Sequence, residues 1–390
     1  MPHLLRRHVM ADGHGPDAAV AEFTMPPPEG SKGGRLGHLD ALRGIAAFLV
    51  MVQHVLEIVA NHPAAPGWYR AFAESWNLTY FSPGRAGVIA FFLISGFVVP
   101  FSLKQPCALR AFAISRFFRL YPAYWLSLFL SVTILPALGL IHFPARQVLA
   151  NVTMLQFLLR QPDVIGAYWT LFIEMAFYGC CALWFLFGVL RSARFLAGMT
   201  IALLGLSLAA AFVRYHHPQA PLPVGYVSFL AAMHVGTLAR LATLEGDALA
   251  RRLLGPIVAI ALVATIAISW LAYSQTPETD PWIANATGIF VGYALFFYCM
   301  IRKAFVSRFT LYLGGISYSF YLFHGLLLRL GRPIGFALPF WEGAAVILLF
   351  ASLLSMLLAT LVFEYVERPA VKISHRLMHG LRARAGGAAA

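Results

Sequence analysis

Two ionisable side chains sit where lipid would not accommodate them. Arg43 and His54 lie inside the apolar run from Leu39 to Val59. At about 20 residues such a run crosses a roughly 30 Å hydrocarbon core. The two are eleven residues apart, close to three helical turns. They therefore project from nearly one face, about 16 Å apart along the axis. Asp40 precedes Arg43 by three residues and adds an acid to the same stripe. Ionisable groups inside a span turn toward protein or a water-filled cavity and mark functional sites. Imidazole is the side chain best placed to move protons near neutral pH, and a guanidinium holds anions. The plainer reading is an arginine that snorkels to the interface and a histidine satisfied within the bundle.

Other chemistry-bearing residues recur along the chain. Glu174 stands about two turns into a later apolar run that opens with Tyr168, Trp169 and Thr170 and continues to Tyr178. An unpaired carboxylate there is costly, so a contact with His54 across the bundle is expected, orienting the imidazole. The alternative makes Tyr168 and Trp169 an interfacial belt and Glu174 a structural hydrogen-bond partner. Arg116 and Arg119, at i and i+3, face the same way beside Lys104 and Arg110 in what reads as a loop. Paired guanidiniums grip phosphate bidentately, whereas a cluster that only sets topology or touches anionic lipid is the plain alternative. Ser317, Tyr321 and His324 share one face at spacings of four and three, with His324 expected to support the site from behind. Ser95-Gly96 in an apolar run reads as a close-packing notch rather than a nucleophile. Glu367-Arg368 at the end of the last run is expected to lock to the basic loops or to help line an entrance, with Pro369 ending the helix.

The elements that must position these residues follow from composition. Of 390 residues, 60% are hydrophobic and only 12% charged, against about 25% charged in a soluble domain. Repeated long apolar runs argue for helices over a β-barrel. The reading is an all-α polytopic membrane protein of about ten transmembrane helices, near 39–60, 86–103, 124–141, 168–190, 194–213, 222–240, 253–273, 282–301, 309–329 and 343–366. An amphipathic piece at Val148–Leu159 is expected to lie in the interface. Residues 1–38 read as a flexible cytoplasmic tail, 39–371 as the membrane domain and 372–390 as a basic cytoplasmic tail. With an even number of spans both termini share a side. That side carries twenty-one Lys and Arg residues against seven opposite, which makes it cytoplasmic. The net charge of +13 is thus a topology signal and points to membrane lipid, with no nucleic-acid partner. The four cysteines form no disulfide framework. The sequence is compatible with a homo-oligomer.

Taken together, the chain resembles the acyltransferase-3 family of integral membrane acyltransferases from about Leu36 to Val371. The matching stretches are LDALRG with the Arg43–His54 spacing, FFLISGF around Ser95 and Gly96, RFFRLYP with Arg116, Arg119 and Pro122, WTLFIEMAFY with Trp169, Glu174 and Tyr178, ISYSFYLFH with Ser317, Tyr321 and His324, and EYVERP with Glu367, Arg368 and Pro369. Met175 departs from members with a second acid after the glutamate, and the chain stops soon after the tenth span. The resemblance implies an acyl-CoA donor, usually acetyl-CoA, entering from the cytoplasm, with no tightly bound cofactor or metal. It implies a hydroxyl acceptor on a sugar, a glycan or a similar molecule, and a place in the bacterial inner membrane. It further implies transfer finished by the membrane domain or by a separate partner. In this reading His54 is the general base, Glu174 orients it or the acceptor, and Arg43, Arg116 and Arg119 hold the donor's phosphates. Arg43 otherwise steadies the thiolate leaving group. Trp169, Tyr178, Ser317, Tyr321 and His324 line the substrate, and Asp40, Ser95, Gly96, Glu367, Arg368 and Pro369 are structural. An acyl-histidine intermediate is the competing route. A secondary transporter or flippase also buries charge across many spans, but neither internal repeats nor paired broken helices are visible.

Overall fold

The computed structural model of the protein describes residues 36–105, 107–220, 222–275 and 281–387. Most of the expected N-terminal tail, 1–35, lies outside them. Gly37 and His38 already belong to the first helix. Among the described residues all regular structure is helical, and ten helices are long and apolar enough to cross a membrane. In chain order they are α1 Gly37–Ala60, α2 Pro83–Ser102, α3 Ala108–Ala137, α4 Gly166–Leu186, α5 Ala193–His216, α6 Val224–Thr243, α7 Ala248–Tyr273, α8 Trp282–Arg302, α9 Arg308–Phe336 and α10 Phe340–Leu381.

Local chemistry sets several starts. Ser82 caps α2 by accepting from the Arg85 amide, with Pro83 at the first position where its missing N–H is no loss. Asp247 accepts from the Ala250 amide at 2.8 Å to begin α7. Ser307 and Thr310 form a reciprocal capping box at α9.

In a bilayer the surrounding lipid is as apolar as the helices, so association depends on close packing at small residues. α2 and α9 form the centre, each with 78% of its apolar window buried, whereas α7 has 28% and lies outside. At Gly314 on α9 a methyl group would stand 2.0 Å from the Asp40 carbonyl oxygen of α1, and at Gly44 it would stand 2.7 Å from the Leu313 Cβ. α2 and α6 touch in the same manner. A methyl at Gly96 would lie 1.9 Å from the Met233 oxygen, and one at Gly236 would lie 2.2 Å from the Leu93 oxygen. Gly96 is thus a packing notch between two backbones.

Three expectations change. The Arg116–Pro122 stretch is not a loop: α3 begins at Ala108, sixteen residues before the expected start, and Pro122 lies within it. Its charges are carried into the helix because neighbouring spans supply partners for them. Pro369 does not end the last helix, which continues as far as Gly387. A π-helical segment, Phe363–Glu367, immediately precedes it. The wider turn relieves the clash between a proline ring and the carbonyl four residues back. The interfacial piece is a shorter helix, Ala145–Val152, followed by turns. Gln147 and Asn151 on it are buried because they tie down the segment that leads into α4.

Candidate active site within the helical bundle

A cavity of about 60 Å³ lies between α1, α2, α4 and α9. Arg43, Ser95, Thr170, Glu174, Ser317, Tyr318 and Tyr321 supply its polar wall, and Val88, Phe91, Phe92 and Leu171 the apolar one. Ser95 therefore faces the cavity while its neighbour Gly96 makes the helix contact. The charges near enough to act on Arg43 are Arg119, Asp40, Glu174 and Glu367. Cations and carboxylates alternate here within the bundle, as buried charge must if it is not to go uncompensated.

The two arginines of α3 do not form a fork. Arg119 reaches Glu367 of α10, Nη1 to Oε2 at 3.0 Å, and its guanidinium lies 5.8 Å from the Tyr318 ring centre. Glu367 is 1% exposed and also accepts from the Ser319 hydroxyl. Arg116 turns toward α4, over the rings of Tyr178 and Phe112 at 5.6 and 5.8 Å. Its buried Nε has no hydrogen-bond partner. Three residues of spacing separate the two heads because different helices recruit them. Arg368, expected to lock to the basic loops, pairs with Glu364 one turn back at 2.7 Å.

Glu174 does not hold His54. Its Oε1 accepts from the Tyr178 hydroxyl at 2.5 Å, four residues along α4. His54 meets His324 of α9 instead, Nδ1 to Nε2 at 3.3 Å with ring centres 5.2 Å apart. His54 Nδ1 also lies 2.9 Å from the Val50 oxygen, and His324 Nδ1 lies 2.7 Å from the Tyr321 oxygen. Neither histidine lines the cavity. His324 stands about one turn farther along α9 than Tyr321, whose ring lines the cavity and lies 5.7 Å from the His324 ring, and His54 of α1 meets it there. The Tyr321 hydroxyl donates to the Ala167 oxygen at 3.2 Å and accepts from Thr170 at 3.0 Å. Trp169 is absent from the cavity wall, because it stacks on Tyr226 and packs against Phe229 of α6.

Sequence reasoning missed polar residues at the His54 end. Gln53 accepts from Ser82 at 2.7 Å and from the Gly84 amide at 2.8 Å, and donates to Glu57 at 2.8 Å. The one-turn spacing of Gln53 and Glu57 within an apolar run was the available signal. Asp163, in the segment before α4, accepts from Gln156 at 2.6 Å. Burial pushes its carboxyl up to about 6, the Gln156 hydrogen bond opposing the shift.

A ten-helix bundle with a charge-lined interior cavity and an imidazole pair between two of its helices defines an integral membrane protein with a polar chemical site. The chain belongs to the acyltransferase-3 family, whose model, described as an acyltransferase domain, matches residues 36–364. A relative, acyltransferase MdmB of Streptomyces mycarofaciens, is 23% identical over 381 residues, spanning 88% of this chain and 93% of its own. No solved structure matches the chain. The protein is a membrane acyltransferase of that family.

Proposed function

We propose that this acyltransferase moves an acyl group, acetyl in the simplest case, from acyl-CoA to a hydroxyl of a carbohydrate or lipid-linked acceptor, with His54 as general base. One observation carries the reading. The His54 Nδ1 lies against the Val50 carbonyl, which can only accept, so the proton sits on Nδ1 and Nε2 keeps its lone pair. That nitrogen takes the acceptor's proton as the acceptor oxygen bonds to the thioester carbon. The C–S bond breaks with its electron pair going to sulfur, and the imidazolium returns the proton to the thiolate.

The basic ends of α1 and α3 face the cytoplasm in this reading, as the loop charges support, and the membrane is the bacterial inner membrane. Acyl-CoA enters there. The unpartnered Nε of Arg116 supports a role on the donor's phosphates. Arg119 contributes its positive field while tied to Glu367. Arg43 and His54 are separated by about 16 Å along α1, too far for Arg43 to touch a thiolate leaving beside His54. Arg43, Glu174 and Tyr178 therefore serve the donor arm in the cavity. The acyl end passes Ser317 and Tyr321 on its way to His54, and the Tyr321 ring must turn aside to admit it.

The test uses purified protein in lipid nanodiscs with labelled acetyl-CoA and extracts of cells lacking the gene. Mass spectrometry identifies the acceptor that gains the label. His54→Ala is expected to lose at least a hundredfold in turnover, and substantial residual turnover refutes the assignment. Arg116→Ala is expected to raise the KM for acetyl-CoA about tenfold. Label trapped on protein in a single turnover without acceptor would support the acyl-histidine route instead.

A further inference from the structure

The contact between the two histidines has a defined direction. His324 Nδ1 is 2.7 Å from the Tyr321 carbonyl oxygen, so Nδ1 must carry hydrogen and donate. In neutral His324 the other nitrogen, Nε2, is then a lone-pair acceptor. It faces His54 Nδ1 at 3.3 Å, and that nitrogen already holds hydrogen because it lies 2.9 Å from the Val50 oxygen. Every hydrogen has an acceptor in this arrangement. A doubly protonated His324 would need His54 Nδ1 to be bare, placing its lone pair against that of the Val50 carbonyl.

The Val50 oxygen is a weak anchor on its own. It is the carbonyl four residues back, which the helix already uses. His324 is different: it is 1% exposed, it is gripped by its own helix, and it lies on the α9 face that packs on α1. We infer that His324 is the positioning residue of the reaction, a neutral imidazole that fixes the tautomer and rotation of His54 and stabilises its imidazolium by accepting from Nδ1. This rests on the reading of His54 as the base. It gives His324 the place expected of Glu174, whose carboxylate is engaged by Tyr178. A neutral acceptor suits an apolar interior. At rest the pair carries no charge, and an anion there would need a permanent partner. The proton follows one route: acceptor oxygen to His54 Nε2, then His54 Nε2 to the CoA sulfur, with the Nδ1 hydrogen shared between the Val50 oxygen at 2.9 Å and His324 Nε2 at 3.3 Å throughout.

The experiment combines nitrogen NMR with kinetics on full-length protein in nanodiscs. Histidine labelled with nitrogen-15 is assigned by difference against His54→Gln. Wild type is expected to show a pyrrole-type Nδ1 and a pyridine-type Nε2 at His54, and hydrogen on Nε2 overturns the inference without reference to activity. His324→Phe is expected to give mixed His54 tautomers and a 10- to 100-fold lower kcat, as when a supporting partner is lost, with the KM for acetyl-CoA within twofold. His324→Gln, whose amide oxygen replaces Nε2 as acceptor, is expected to recover at least tenfold of that loss. If folded His324→Phe keeps both kcat and the wild-type tautomer, the inference fails. It also fails if folded His324→Gln is no better than His324→Phe. Loss of activity in His54→Ala together with full activity in His324→Phe would remove this role and leave the general base in place, whereas an active His54→Ala removes both.

Discussion

Removing Arg119 while leaving Glu367 in place tests how the cavity's charges are held. Glu367 is 1% exposed, and its donors are Arg119 at 3.0 Å and the Ser319 hydroxyl. In Arg119→Met the carboxylate keeps only the serine. Stripping one partner from a buried pair costs about 3–5 kcal/mol. Arg119 is itself 25% exposed, so the lower figure applies, about 3 kcal/mol. At about 2 °C per kcal/mol for a chain of this size, the melting temperature falls by about 6 °C. Glu367→Met leaves the arginine partly solvated and should cost less, about 1–2 kcal/mol. In Arg119→Met/Glu367→Met neither charge is orphaned, and two apolar side chains take over the contact. The double variant should therefore melt above Arg119→Met despite carrying one more change. The assay is thermal unfolding of the purified variants in detergent, arranged as a double-mutant cycle. Additive losses, with the double variant the least stable of the three, would refute the reasoning, because they would mean the two groups do not interact. Donor affinity measured on the same proteins separates the structural pair from phosphate binding. Arg119→Met should raise the KM for acyl-CoA far less than Arg116→Ala does.

Other outcomes follow from particular contacts. Gly314→Ala places a methyl 2.0 Å from the Asp40 oxygen, whereas the neighbouring Gly315 has nothing within 4 Å. The first should abolish monodisperse protein in gel filtration, while Gly315→Ala should be neutral or add about 0.5–1 kcal/mol through helix propensity. Tyr178→Phe removes the hydroxyl that donates to Glu174, a charge-assisted bond of about 1.5–3 kcal/mol, and should lower kcat/KM for acyl-CoA at least tenfold. Asp163 has a carboxyl raised to about 6 when folded, above its ordinary value of 3.8. The folded state then binds more protons than the unfolded one between those values, so stability falls as pH rises from about 4 to about 6 and levels beyond. Asp163→Asn should remove that slope in a melting-temperature series.

The helix count was legible because length and apolarity fix a span without any knowledge of its neighbours. The two-ends spacing of Arg43 and His54 was legible for a similar reason, since helical geometry alone puts them on one stripe. What the sequence hid was partnership. Arg116 and Arg119 look like a pair at i and i+3, yet α4 and α10 draw them apart. Pro122 and its flanking charges mimic a loop, and only the presence of Glu367 and the Tyr178 ring makes a helix affordable there. Depth and charge match Glu174 to His54, but its donor, the Tyr178 hydroxyl, sits one turn away on its own helix. His324 was visible as an ionisable residue in a span, while its hydrogen-bond direction depends on the Tyr321 carbonyl, which no side-chain pattern records.

The backbone contact between α1 and α9 extends from Gly44 and Gly314 toward the two imidazoles. Two staves held that closely tilt as one when a bilayer thins or thickens, and mismatch is absorbed by the members free to lean. α5 and α7, with 33% and 28% of their windows buried and no residue in the cavity wall, have that freedom. Turnover should accordingly vary little between short- and long-chain lipids, because the geometry that matters is referenced to a neighbouring helix and not to the membrane surface.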